Sequence, residues 1–582
     1  MQKLFLYISL LVFLSVNAQK NIDLKLHFAK EEVLPKKIKL RESFSSVEKL
    51  NKSLSYLIQK LYSKGYIEAS IDSSVLENEI MNAYLFLGQQ YTSSRLENGN
   101  LSEEVLKKLH FKEKEYQNKI FSFSRLAEIQ QKVLNYYQNR GYAFAETYLD
   151  SFSINHQNVY SKIYAEPHEL FIIDTIIVEG KTKTKSRYLQ NYLGIKKGDL
   201  YNQSRIDKIS EKLAQINFIK ETRKPQMVFV DGKVKLYVFV EKQKSNEFDV
   251  LIGILPNDKI TNRKVTITGL GKLHLYNSFG VGEEVYVNFK QLRPQTQNID
   301  LEVNYPFFLN LPIGINGIFN LYKNDTSFLN LNTKAGIVYP FNGADYLQLF
   351  YQNQISNVLN YDTSKVRSTQ SLPEVLDKTS NHLGLKMHFQ KLDYIFSPRN
   401  GYDLTFSGSV GLKNISKNTA LTGIQENIYD QTKLSSTNFS FDLNFKYYIP
   451  ILKKHAILMA NSSRFFISKD VLENEKFRIG GANSLRGFDE EEIFSPYFSI
   501  FSLEYHFSLS KNAYFYTFGD IAILEDIRFG SETIDTPFGF GVGATFETKG
   551  GIFSLSYALG KQLDNVIELK NGKIHFGYIN LF

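Results

Sequence analysis

The chain of 582 residues contains no cysteine at all. That excludes disulfides, a thiol nucleophile and a lipid-modified N-terminal cysteine. Long apolar runs are also missing: none reaches the length of about twenty residues that a spanning helix needs, and a mean hydropathy of −0.26 is too polar for a helical membrane protein. The ten histidines are scattered, with no His-x-x-x-His pair and no metal-like carboxylate cluster. There is no Walker loop and no Gly-x-Ser-x-Gly elbow. Neither a metal, a cofactor nor an enzyme is expected. Tryptophan is absent too, yet 36 Tyr and 46 Phe bring the aromatic share to 14 %. A β-barrel reconciles that share with the low hydropathy, because only alternate residues face lipid and aromatics gather at the two interfaces. The formal charge of +9 comes from 69 basic and 60 acidic residues interleaved throughout, without a basic stripe of stacking aromatics. Nucleic acid is therefore not an expected partner; the excess reads as solvated surface in contact with anionic lipid.

Residues 1–18 have the form of a secretory signal: Lys3, an apolar core over Leu4–Val16, and the small-residue site Val16-Asn17-Ala18. From 20 to 243 the pattern is three repeats of strand-helix-helix-strand-strand, at 20–92, 93–168 and 169–243. In the third, Ile172–Val178 is a strand, Ser204 caps a helix carrying Ile206, Ile209, Leu213 and Ile216, and Asp231-Gly232 turns the closing hairpin. In the first, Ser45-x-x-Glu48 reads as a capping box. Helix-Gly-Tyr-strand recurs at Gly65-Tyr66 and Gly141-Tyr142, which is the repeat signal. Small sheets covered by helices on one face leave an edge to which an extended chain can add as a further strand.

From 246 to 582 helical periodicity gives way to alternation. In Asn298–Phe307 the residues Ile299, Leu301, Val303, Tyr305 and Phe307 share one face, and Asn298, Asp300, Glu302 and Asn304 the other. About sixteen such segments predict an antiparallel transmembrane barrel, closed because lipid tolerates no unpaired backbone. Between two of them lies Arg478-Ile-Gly-Gly-Ala-Asn-Ser-Leu-Arg-Gly-Phe488. If this loop (472–492) folds inward, Arg486 needs an acceptor, since an unpaired charge away from water is expensive. Glu504 and Asp520 can supply it. Glu504 shares a face with Ser502, His506 and Ser508, opposite the apolar Phe501, Leu503, Tyr505 and Phe507. Asp520 shares its face with Tyr514, Tyr516 and Phe518, but is assigned inward because a lipid-facing carboxylate is costly. Gly480 and Gly481 belong to the loop, and Gly539, Gly541 and Gly543 face inward, where a second backbone can approach closely.

The Gly-Gly…Ser-Leu-Arg-Gly-Phe pattern, with Glu504, Asp520 and Phe518-Gly519-Asp520-Ile521-Ala522, resembles the loop and strand motifs of the BamA/TamA/two-partner-secretion superfamily of outer-membrane proteins. Ala522 stands where that family's strand motif has glycine. The resemblance implies POTRA repeats in the periplasm, a latch formed by Arg486, Gly487 and Phe488 with the two carboxylates, and a seam between first and last strands that opens sideways. The closing stretch resembles the C-terminal signal of outer-membrane barrels, carried by Phe576, Tyr578 and Phe582. The implied function is capture of unfolded β-barrel or autotransporter-like clients and their insertion at the seam. A TamA-like member is implied by three repeats, with a TamB-like periplasm-spanning partner and outer-membrane lipid around the barrel. The alternatives are a two-partner-secretion transporter exporting a β-helical partner and, further off, a passive pore or receptor.

Overall fold

The computed structural model describes residues 21–581 apart from 29–32, 36–37, 118, 259–262, 294, 343, 396, 527–532, 549–550 and 563–566. The signal-like stretch and Phe582 lie outside the described residues. Two compact units divide the chain: one holds the first two repeats, and the other most of the third repeat together with all residues from 235 onward.

Each repeat builds a small sheet in which the first strand sits next to the last and the middle strand takes an edge. In the first, Ile22–Phe28 runs parallel to Ile80–Phe86, with Ser70–Glu77 outside it. In the second, Ser93–Asn98 runs parallel to Asn158–Glu166, with Glu146–Asn155 at the edge. The third repeats the order with Ile172–Glu179, Lys233–Lys242 and Ile219–Val230. Amphipathic helices cover one face. Val47–Tyr62 buries Leu50, Leu54, Leu57 and Leu61, all at helical spacing. Its cap is Ser46, whose hydroxyl accepts from Lys49 N, so Ser45 is not the capping residue; its Oγ instead accepts from the Lys49 ammonium. The first repeat has this single helix among its described residues, where the sequence suggested two.

The Gly-Tyr recurrence has a structural meaning. Gly65, at positive φ, accepts from Tyr91 N, and Tyr91 O accepts from Phe121 N. Gly141, also at positive φ, accepts from Phe171 N, and Phe171 O accepts from Tyr201 N. A side chain at Gly65 would collide with the Tyr91 carbonyl. The glycine ends the helix and lets the next repeat start against it.

The carboxyl half is a barrel of sixteen antiparallel strands: β1 Glu247–Asp258, β2 Arg263–Tyr276, β3 Glu284–Arg293, β4 Thr296–Tyr305, β5 Gly314–Asn324, β6 Phe328–Asn342, β7 Asp345–Val358, β8 Lys378–Leu392, β9 Gly401–Ile415, β10 Ser435–Leu452, β11 His455–Ile467, β12 Tyr497–Ser508, β13 Tyr514–Asp526, β14 Phe538–Thr548, β15 Gly551–Lys561 and β16 Lys573–Leu581. A short segment, Thr533–Asp535, continues β14 along the same neighbour. Alternation sets the faces. Leu349, Tyr351, Leu383, Leu385, Phe439 and Val542 are exposed on the outside. Inside β3–β7, amides hydrogen-bond from strand to strand: Asn288 and Asn320 donate to Asp300 at 2.8 and 2.9 Å, Asn332 to Asn320 and Gln352 to Asn332, both at 2.8 Å. The third repeat is fastened to the turn after β2, where Asn277 donates to Thr184 at 2.8 Å and Lys185 N to Gly280 O at 2.8 Å.

Candidate functional site: the inward loop and the seam

Residues 468–496 join β11 to β12 and fold back into the barrel. Phe477–Ile479 and Ile493–Ser495 pair as a short hairpin. Past it, Gly480 and Gly481 turn the chain at φ +120 and +96. Ser484 closes that turn, accepting from Gly480 N at 2.9 Å and donating to Gly480 O at 2.8 Å. Leu485 then enters a dry cluster with Ile479, Phe488 and Ile493, against Phe498 and Ile500 of β12 and Ala522 and Leu524 of β13. The inner wall is apolar here because it is covered; of the aromatic same-face neighbours of Asp520, Phe518 lies under Arg486, while Tyr514 stacks on His506.

Arg486 follows. Its Nε and Nη2 donate to the two oxygens of Asp520 at 2.7 and 2.6 Å, and its Nη1 to Glu504 at 2.7 Å. The guanidinium lies 3.6 Å from the centre of the Phe518 ring. His506 donates to the other oxygen of Glu504 at 2.6 Å. This is a forked, charge-assisted arrangement in which each guanidinium nitrogen donates to a carboxylate. Gly487, at φ +94, lies against the backbone of Gly560 on β15, and its N–H points to His575 Nε2 at 3.4 Å. Gly560 pairs directly with Gly539 on β14, and a Cβ at Gly539 would overlap the Arg486 carbonyl. Gly541 and Gly543 differ. The atoms nearest a Cβ there are the Tyr557 carbonyl and the Phe518 ring at Gly541 and the Tyr516 ring at Gly543, so the wall itself takes the space assigned to the loop.

The loop has a second fastening that sequence reasoning did not find. Glu475 accepts from Lys378 of β8 at 2.7 Å and from Lys413 of β9 at 2.9 Å, and also from Leu472 N at 2.9 Å. All three side chains are almost wholly buried. Asn474 beside it donates to Ser356 of β7 at 2.6 Å. Leu472 joins an apolar cap at the far end of the barrel with Val366, Leu376, Ile415, Leu421 and Tyr429.

The wall closes where β1 meets β16. Only Glu247↔Leu581 and Phe248↔Asn580 pair among the described residues, at the end next to the third repeat. By contrast β1 pairs with β2 along its full length, and β16 pairs with β15 from Lys573 to Ile579. Beyond Phe248 no further pair joins the two closing strands among the described residues. On β16, Phe576 is exposed on the outer face, and the Tyr578 ring packs 4.7 Å from Phe553.

The family described as the Omp85 superfamily domain matches residues 277–579, more than half of the chain. The chain belongs to the Omp85 superfamily. The POTRA family, described as a surface antigen variable number repeat, matches residues 171–243. No curated protein sequence matches the chain. Among solved structures it is similar to CdiB from Escherichia coli (14 % identity, 92 % of this chain and 98 % of that one, TM-score 0.52) and to CdiB from Acinetobacter baumannii (16 %, 92 % and 96 %, TM-score 0.50). It is also similar to BamA from Haemophilus ducreyi lacking POTRA domains 1–3 (17 %, 84 % and 100 %, TM-score 0.45). As an Omp85 protein it resides in the outer membrane with its POTRA repeats in the periplasm. It is of the insertase and transporter kind, a family of assembly and transport factors rather than enzymes.

Proposed function

We propose that this Omp85 protein is a TamA-like assembly factor, which captures unfolded β-barrel or autotransporter-like chains on its repeats and passes them into the bilayer at the β1–β16 seam. The observation that carries this reading is the seam. A strand edge that leaves its partner after two residue pairs offers free backbone donors and acceptors in a place where lipid supplies none. An incoming strand satisfies them.

The repeats suit capture. Each presents its middle strand at a sheet edge, with apolar side chains exposed at Val75 and Leu76, Phe152 and Ile154, and Val228 and Val230. These edges are blunted. Register breaks between Ile71 and Ser73 and between Asp150 and Ser153 interrupt the first two, and Pro225 removes a donor from the third. Such an edge accepts short extended segments and resists open-ended aggregation. Three repeats support the TamA-like reading over a two-partner-secretion transporter, and a TamB-like partner delivering clients fits it. In this reading Arg486, Gly487 and Phe488 with Glu504 and Asp520 form the latch that sets the loop beneath the seam.

Depletion followed by outer-membrane proteomics tests the assignment. Loss of a narrow set of barrels and autotransporter-like proteins is the expected result. Loss of nearly all barrels would move the role to the BamA type, and loss of one secreted protein would move it to the transporter.

A further inference from the structure

The acidic run Asp489-Glu490-Glu491-Glu492, at the tip of the inward loop, divides its labour. Glu491 and Glu492 serve the loop itself: Glu491 pairs with Arg478 at 3.3 Å, and Glu492 accepts from Asp489 N at 2.8 Å. Asp489 and Glu490 reach outward in two directions. Asp489 pairs with Lys573 at 2.7 Å, the first residue of β16. Glu490 pairs with Lys290 of β3 at 3.6 Å, and Gly481 leaves room for its carboxylate. In strand order these lysines lie on opposite sides of the seam, with β1 and β2 between the seam and Lys290.

We infer that this run is an electrostatic clasp bridging the unpaired part of the seam from the lumen side. The two halves of the clasp are unequal. On the β16 side the tip is also held by Gly487 against Gly560 and by the Gly487 N–H to His575. On the β3 side the described contact is a longer ion pair, about one-third exposed. The Asp489–Lys573 pair is more exposed still, so the inequality rests on its shorter distance and on the Gly487 contacts. At such exposure the longer pair is weak and screened by salt. The β1–β3 side is therefore the one that swings, and the loop stays with β14–β16 when it does. The inference rests on the proposed role and deepens it by naming what limits how far the unpaired seam opens.

The chain's lack of cysteine makes the test direct. Continuing the Phe248↔Asn580 register by two residues sets position 250 opposite 578. Val250→Cys with Tyr578→Cys then gives a disulfide whose yield in the membrane-embedded full chain reports seam closure. Lys290→Glu is expected to lower that yield by up to about fivefold, the scale of one partly exposed ion pair. Glu490→Lys added to Lys290→Glu restores it, and Lys573→Glu has the smaller effect. Without any charge substitution, raising salt to about 1 M also lowers the yield. A Phe553→Cys/Tyr578→Cys pair across the intact β15–β16 ladder must crosslink in every variant, so a fall there marks an unfolded barrel and the salt series then decides. Unchanged yield in both Lys290→Glu and high salt, or no recovery in the double reversal, overturns the clasp. The readout involves no client, so it fails independently of the assembly role.

Discussion

Apart from the exposed acidic run, the inward loop is fastened at two buried places by ion pairs of opposite polarity. At its stem the loop supplies the anion, Glu475, and the wall supplies Lys378 and Lys413. At its tip the loop supplies the cation, Arg486, and the wall supplies Glu504 and Asp520. The stem is the drier of the two: its three side chains are at most 5 % exposed, against 12 % for Arg486 and 13 % for Glu504. The tip has the better geometry, a planar fork with a ring beneath it and His506 on the spare oxygen. The difference teaches that burial fixes the stem, whereas matched directional bonds fix the tip.

The largest expected effect is at the stem. Glu475→Ala strands two buried ammonium groups, which costs about 3–5 kcal/mol, read as a lower urea midpoint of the folded barrel and as protease access to 468–476. Arg486→Ala comes next at about 3 kcal/mol, because His506 still serves Glu504 when the guanidinium is gone. The barrel should remain inserted while assembly activity falls. Arg486→Lys should recover only part of that loss, since an ammonium cannot reproduce the fork. If Arg486→Ala unfolds the barrel more readily than Glu475→Ala, the ranking by burial is wrong. Smallest is the backbone contact at the tip. Gly539→Ala pushes on the Arg486 carbonyl and should cost about 1–3 kcal/mol, whereas Gly543→Ala meets a tyrosine ring that can swing aside and should cost less. Comparing the two melting curves checks this.

The same contrast shows what could be read from the sequence. The tip is written locally, as glycines around Ser484-Leu-Arg-Gly-Phe, and strand parity gives the face of Glu504. The stem is not. Lys378 and Lys413 are single inward lysines on strands far along the chain from Glu475, and no spacing rule links them. Gly560 was accessible in principle, since it faces Gly539 in the hairpin register. In the repeats, helix periodicity and Gly-Tyr recurrence mark the units, but of two adjacent serines the Ser45-x-x-Glu48 pattern points to the wrong one, and the geometry selects Ser46. Alternation carried the barrel, and it failed to anticipate only the stretch of inner wall that is apolar because something lies on it.

That stretch has a consequence for biogenesis. Phe498, Ile500, Ala522 and Leu524 would meet water in a cylinder completed around a vacant channel, and nothing else in the described lumen replaces Ile479, Leu485 and Phe488 above them. A barrel with the loop outside would carry that apolar patch against water, so seating the loop belongs to reaching the stable fold.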